Sequence, residues 1–237
     1  MSHARRPVGF LVGTGVAAML VLAGCHDDTA HIDTHADQPA QPDGPSQTDL
    51  SLPELSAGTS AVVLAGDPAG NDGLAFFDES GRAFISLAPT SGIGAQVIYR
   101  RANASAPWHR VPAPTTPLSL TRRFTIAAPV APITADNLAG HYQSVIGDDI
   151  AAFTINDAAT IDAAGAGCRL AGRIAPAQRL AAGTAAHLSV AGCAGTADGD
   201  YDGLIVVDTE AINAAWHFIG AGDGQVLDIY AFLISEG

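Results

Sequence analysis

A chain of 237 residues with 48% hydrophobic content has room for one or two domains and enough apolar side chains to pack a core. It carries 24 acidic residues against 11 basic ones, for a net charge of −13. Loss of residues 1–24 would remove Arg5 and Arg6 and no acid, leaving −15, a balance that phosphate backbones and anionic surfaces repel, so nucleic acid is excluded as a partner.

Every basic residue is Arg, and Lys is absent. Selection for guanidinium chemistry, such as phosphate forks, would require clustered Arg. In the sequence the arginines are scattered or sit in adjacent pairs (Arg100-Arg101, Arg122-Arg123), a pattern that points to a GC-rich genome instead.

The first 25 residues read as a targeting segment. Arg5 and Arg6 supply its positive start, Val8 to Ala23 are apolar and uncharged, and Leu22-Ala23-Gly24-Cys25 closes it. That closing run resembles the lipobox of bacterial lipoprotein signal peptides. The resemblance implies cleavage before Cys25 and acylation of its thiol and amine, so that several acyl chains anchor the protein to a bilayer. A plain membrane-spanning anchor fits less well, because an apolar stretch of about 16 residues falls short of the roughly 20 that a bilayer requires. His26, rather than Asp, follows Cys25, which in enterobacterial lipoproteins resembles an outer-membrane sorting signal.

Residues 25–58 form the expected lipidated, disordered acidic tether. After Cys25 it holds seven acids, no Arg and abundant Pro, Ser, Gln and Thr. As a random coil it would span roughly 30–35 Å and hold the globular part clear of the headgroups. His26, His31 and His35 alternate with acids there and are candidate ligands for a divalent metal, since imidazole and carboxylate suit zinc, nickel and copper.

From Ala61 onward the pattern is all-β. Short runs rich in Val, Ile, Phe, Tyr and Thr are divided by Gly, Asp, Asn and Pro, with no sustained helical period. A smaller β-rich region, 59–128, is predicted to hold strands at 61–65, 73–78, 83–88, 96–101, 107–112 and 118–127, with a hairpin turn at Asp78-Glu79-Ser80-Gly81. A Pro-punctuated boundary runs from Pro129 to Ala135.

The second region, 137–237, offers eight strands joined by short turns: 140–146, 150–156, 159–163, 168–175, 185–193, 201–208, 214–220 and 225–234. Sequential strands with tight turns favour an antiparallel meander, and eight of them are enough to close a side-chain-filled barrel. Only Asp228 interrupts the apolar last strand, which is therefore expected to pack against the first region as well as the barrel interior. In layout, a tethered lipoprotein with a β-rich first half and an eight-stranded C-terminal barrel resembles the surface lipoproteins of the factor-H-binding and transferrin-binding type.

With Cys25 consumed by lipid, Cys168 and Cys193 remain and read as a disulfide in an oxidising envelope. They lie at the open end of the hairpin formed by 168–175 and 185–193. Their parities conflict, and a bulge at Ala191-Gly192 would resolve that conflict. A redox pair or metal thiolates would require close spacing or an activated thiol, and neither is visible.

Asp198, Asp200 and Asp202, followed by Gly203, resemble the front of a calcium loop. The twelfth position, however, is Thr209 rather than a bidentate Glu, and Leu204 to Val207 read as strand. No nucleophile elbow occurs, and His109, His141, His187 and His217 lack a local partner signature. His217, between Trp216 and Phe218, is expected as a partly exposed sheet histidine. No catalytic residue and no cofactor beyond the lipid and a possible metal are assigned.

The sequence thus predicts a non-catalytic, lipid-anchored module of the cell envelope, at the outer membrane, that binds a protein or small ligand. The alternatives are an inhibitor or immunity lipoprotein against a basic cell-wall hydrolase, and a metal-capturing lipoprotein that uses the tether.

Overall fold

Alternating apolar residues build two β layers. The computed structural model describes residues 50–236 apart from 93, 135–137 and 212. Cys25, His26, His31 and His35 lie outside the described residues, as does the predicted targeting segment.

The first layer is a six-stranded antiparallel sheet. Its strands are β2 (Gly58–Ala65), β3 (Asp72–Phe77), β4 (Ala83–Ala88), β5 (Val97–Arg101), β6 (His109–Val111) and β8 (Thr121–Ala127), in the spatial order β6-β5-β4-β3-β2-β8. Two short strands, β1 (Leu50–Ser51) and β7 (Leu118–Ser119), pair in parallel. Residues 50–57, expected as the end of the tether, are instead laid against this layer. Leu50, Leu52 and Leu55 pack on the cluster of Val62, Leu64, Phe77, Ile85, Leu87 and Tyr99, because these three leucines have apolar surface to remove from water.

The second layer follows β9 (Val130–Ala131) and is the predicted meander. It consists of β10 (Gly140–Ile146), β11 (Asp149–Ile155), β12 (Thr160–Ala163), β13 (Arg169–Leu180), β14 (Gly183–Ala191), β15 (Gly199–Asp208), β16 (Trp216–Gly222) and β17 (Gln225–Glu236). Each pairs antiparallel with the next, and β17 returns to β10, so eight strands close into a barrel and leave no free edge. Strict alternation drives the closure. On β10, Gly140, Tyr142, Ser144 and Ile146 are buried, whereas His141, Gln143 and Val145 are exposed. Closure also brings backbones into contact: a Cβ on Gly203 would lie 2.1 Å from the Ile219 carbonyl oxygen, so only Gly fits there.

Side chains fill the bore. Tyr142 stacks on Phe153 at 5.7 Å, and Trp216 lies 5.9 and 5.7 Å from those two rings, surrounded by Leu170, Leu188, Ile205, Phe218 and Ile229. The two layers meet in a third cluster. Phe76, Phe84 and Ile98 of the sheet press on Leu180, Leu204, Val206, Ile219 and Ala221 of the barrel wall, with Val226 of β17 beside them. The last strand therefore serves both sides, as its two apolar faces predict.

Cys168 and Cys193 form the disulfide. The hairpin register pairs Arg169 with Ala191, which would set Cys168 opposite Gly192. Gly192 adopts φ +70°, a left-handed turn that favours Gly, and this turn brings the next residue, Cys193, round to its partner. Replacing both cysteines by Ser should cost about 3 kcal/mol, from the loop entropy returned to the unfolded chain. Equilibrium urea unfolding measures this, and an unchanged midpoint would show that the bond contributes nothing.

Candidate functional site

The run Asp198 to Asp202 does not wrap a site. β15 begins at Gly199, so Asp200 and Asp202 stand side by side on the exposed outer wall of the barrel. Asp198 accepts the Gly192 N–H (2.6 Å) and so holds the turn beside the disulfide. Asp202 bonds His187 Nδ1 (2.9 Å) from the neighbouring strand, and Asp200 accepts from the Ser189 hydroxyl. Among the described residues, no three His, Cys, Asp or Glu side chains converge as a metal site.

The concave surfaces lie elsewhere. Two form where the sheet meets the barrel wall, one acidic and one basic.

The acidic cleft, about 280 Å³, is lined by Asp72 and Ser86 of the sheet and by Asp208, His217, Asp228 and Tyr230 of the barrel. Strand alternation sends Trp216 and Phe218 into the bore and His217 outward, as the sequence implies. His217 is nonetheless buried, at 6% exposure, which corrects the expectation of a partly exposed sheet histidine. The sheet covers this outer face, and no pattern within β16 itself announces that cover.

His217 Nε2 donates to Asp228 Oδ1 (2.5 Å), and its ring stacks on Tyr230 at 4.0 Å. Asp228 Oδ2 accepts the Ala95 N–H (2.6 Å), so this one carboxylate ties the loop before β5 to the barrel. Nδ1 of His217 is buried and has no hydrogen-bond partner among the described residues. Burial and the carboxylates of Asp208 and Asp228 raise the Tyr230 phenol well above its usual pKa. Ser86, His217 and Asp228 are the residue types of a hydrolytic triad, yet no hydrogen bond joins Ser86 to His217.

The basic cleft, about 340 Å³, lies between β4, β5 and β6 on one side and β13, β14 and β15 on the other. Its cationic residues are Arg82, Arg100, Arg101 and Arg179. Arg82 and the adjacent pair Arg100-Arg101 come from the sheet, and the packing of the layers brings Arg179 of the barrel to the same cleft.

Comparison with protein-family models, curated proteins and solved structures finds no match to this chain. The fold and these clefts therefore stand on their own geometry.

Two further features complete the surface. Asp67, in the turn after β2, is buried against Arg110 and Tyr99 on the far side of the sheet. Val145 and Ile150, paired across β10 and β11, are about 60% exposed and line an apolar depression with Phe232.

Proposed function

We propose that this chain is an exported lipoprotein, anchored to the outer membrane through acylated Cys25, whose β module binds a ligand without transforming it. On this reading the ligand sits in the seam between sheet and barrel. The observation that carries it is the contrast between a bore filled by Trp216, Tyr142 and Phe153 and a seam that keeps concave, charged surfaces. A filled bore has no room for cargo, so recognition falls to the outside of the barrel. A second reading, a protein partner docked on the barrel wall away from the seam, is favoured by the exposed pair Val145 and Ile150 beside Phe232, since exposed apolar patches mark contact surfaces.

The anchor is tested by intact-mass spectrometry of the chain expressed with its own leader in a bacterial host. The product should begin at Cys25 and carry fatty acids, and Cys25→Ser should lose both features. A product that starts upstream of Cys25 and lacks acyl chains would remove the membrane address. Loss of binding on substitution in the seam, with no product released from the ligand, checks the remainder.

A further inference from the structure

We infer that the basic cleft of the seam is a binding site for a small organic anion with an apolar body, such as a medium-chain carboxylate or phosphate monoester. The inference rests on the binding-module reading and names the ligand class for one of its two clefts.

The charge distribution is the first support. Nine arginines follow Cys25 in a chain that would carry −15 after cleavage, and four of them line this one cleft. No Asp or Glu lines it, although acids outnumber arginines in the chain. One ion pair reaches in from outside, Asp78 to Arg82 at 3.0 Å. Arg100 shares the barrel-facing side of the sheet with Phe84, its cross-strand partner, and has no carboxylate beside it, so an anion there would meet an uncompensated positive charge.

The second support is how the forks are held. Arg101 donates through Nε to the Gly81 carbonyl (2.8 Å) and lies over the Trp108 ring at 4.7 Å, which turns its guanidinium to the far face of the sheet and leaves Arg100 as the β5 arginine on the cleft side. Arg179 donates to the Ile133 carbonyl (3.2 Å), and Arg82 donates to the carbonyl of Arg179. Arg100 is exposed and has no hydrogen-bond or ion-pair partner among the described residues, so its planar fork is available for a carboxylate or phosphate. Arg82, fixed by Asp78 and the Arg179 carbonyl, stands at the edge of the cleft, and the open fork of Arg100 is the group it offers to an anion.

The third support is a break in β13. Its ladder runs Ala175 to Ala185 and resumes at Arg179 to Thr184, so Pro176, Ala177 and Gln178 are inserted with no opposing residues. Pro cannot donate to a ladder, and bulges recur where a strand re-aims side chains at a site. Here the bulge delivers Gln178 and Arg179 to the cleft. The apolar body follows from the remaining lining, which includes Phe84, Leu180 and Leu204. Low-polarity walls also strengthen the pull of each guanidinium on an anion.

The test titrates the purified chain with decanoate, decyl phosphate, decanol and decylamine by calorimetry, and follows thermal unfolding in parallel. The two anions should bind saturably and raise the melting temperature. Decanol and decylamine should bind at least about tenfold more weakly, as should decanoate to Arg100→Ala, which loses a charge-assisted hydrogen bond. Arg100→Lys should fall between, keeping the charge without the fork. The control Arg122→Ala/Arg123→Ala on β8 removes two charges outside the cleft and should leave affinity unchanged.

Equal binding of decanol, or equal loss in the β8 control, would overturn the inference while leaving a seam-binding module in place. Absence of binding by either anion would overturn the inference too, and the seam would still answer to its own substitutions. Sedimentation with phosphatidylglycerol vesicles separates the sources. Co-sedimentation that Arg100→Ala abolishes would assign the anion to a lipid headgroup, and absence of it to a free molecule.

Discussion

Replacing Arg110 by Met should destabilise the folded chain by about 3–5 kcal/mol, because it strands a buried carboxylate. Asp67 is fully covered by the sheet's apolar side and is held from three directions. Arg110 donates through Nε (2.7 Å) and Nη2 (2.9 Å) to its two oxygens, the Tyr99 hydroxyl donates to Oδ2, and the Ala69 N–H donates to Oδ1 (2.9 Å). Burial alone would raise the Asp67 pKa, but these hydrogen bonds outweigh it and hold the carboxyl below its usual value. A depressed folded-state pKa contributes stability that is present above the unfolded value of about 3.9 and disappears as pH falls through the folded one.

Wild-type stability should therefore fall on acidification below about pH 4, with part of that slope absent from an Asp67→Leu/Arg110→Met double variant. The double variant should recover most of the single variant's loss, since both charges are then gone. Urea titrations at pH 7 and pH 3 measure each quantity. A cost below about 1 kcal/mol for Arg110→Met would place the ion pair in water, where such pairs contribute little.

Truncation of Trp216 to Ala should cost about 3–5 kcal/mol, from lost transfer free energy and from the cavity left between Tyr142 and Phe153. Trp216 is 1% exposed at the centre of the barrel, where rings from β10, β11 and β16 meet. Its indole N–H is buried without a hydrogen-bond partner among the described residues, so Trp216→Phe should cost distinctly less than Trp216→Ala, because it keeps an aromatic ring while removing an unsatisfied donor. Tryptophan fluorescence would then report only Trp108. If Ala at this position left the urea midpoint unmoved, the bore would not be the packed core described above.

Residues that report on their own strand were legible from the sequence, and residues defined by another layer were not. The eight barrel strands read correctly because inside and outside alternate with period two, so Tyr142, Phe153 and Tyr201 announce the bore by their spacing. The disulfide was legible for the same local reason, and even the parity conflict at Gly192 pointed to the turn that resolves it. The strand predicted at 168–175 instead bulges past Pro176 and continues to Leu180, because the ladder resumes at Arg179 opposite Thr184. His217 was placed on the outer face correctly, but its burial depends on a sheet some 130 residues earlier in the chain. Asp67 gave no signal, since Gly66-Asp67-Pro68 reads as an ordinary solvated turn until Arg110 folds over it.

The sequence by itself determined the β class, the meander, the barrel's inward face and the disulfide, because each is written in spacing along one strand or one hairpin. It also carries the lipobox-like run at Cys25. Only the tertiary structure decided which outward faces are covered, that Leu50, Leu52 and Leu55 pack on the sheet, and that Arg82 and Arg100 of the sheet meet Arg179 of the barrel at one cleft. Those outcomes depend on packing between chain segments a hundred residues apart, and side-chain periodicity encodes which way a residue points but not what meets it there.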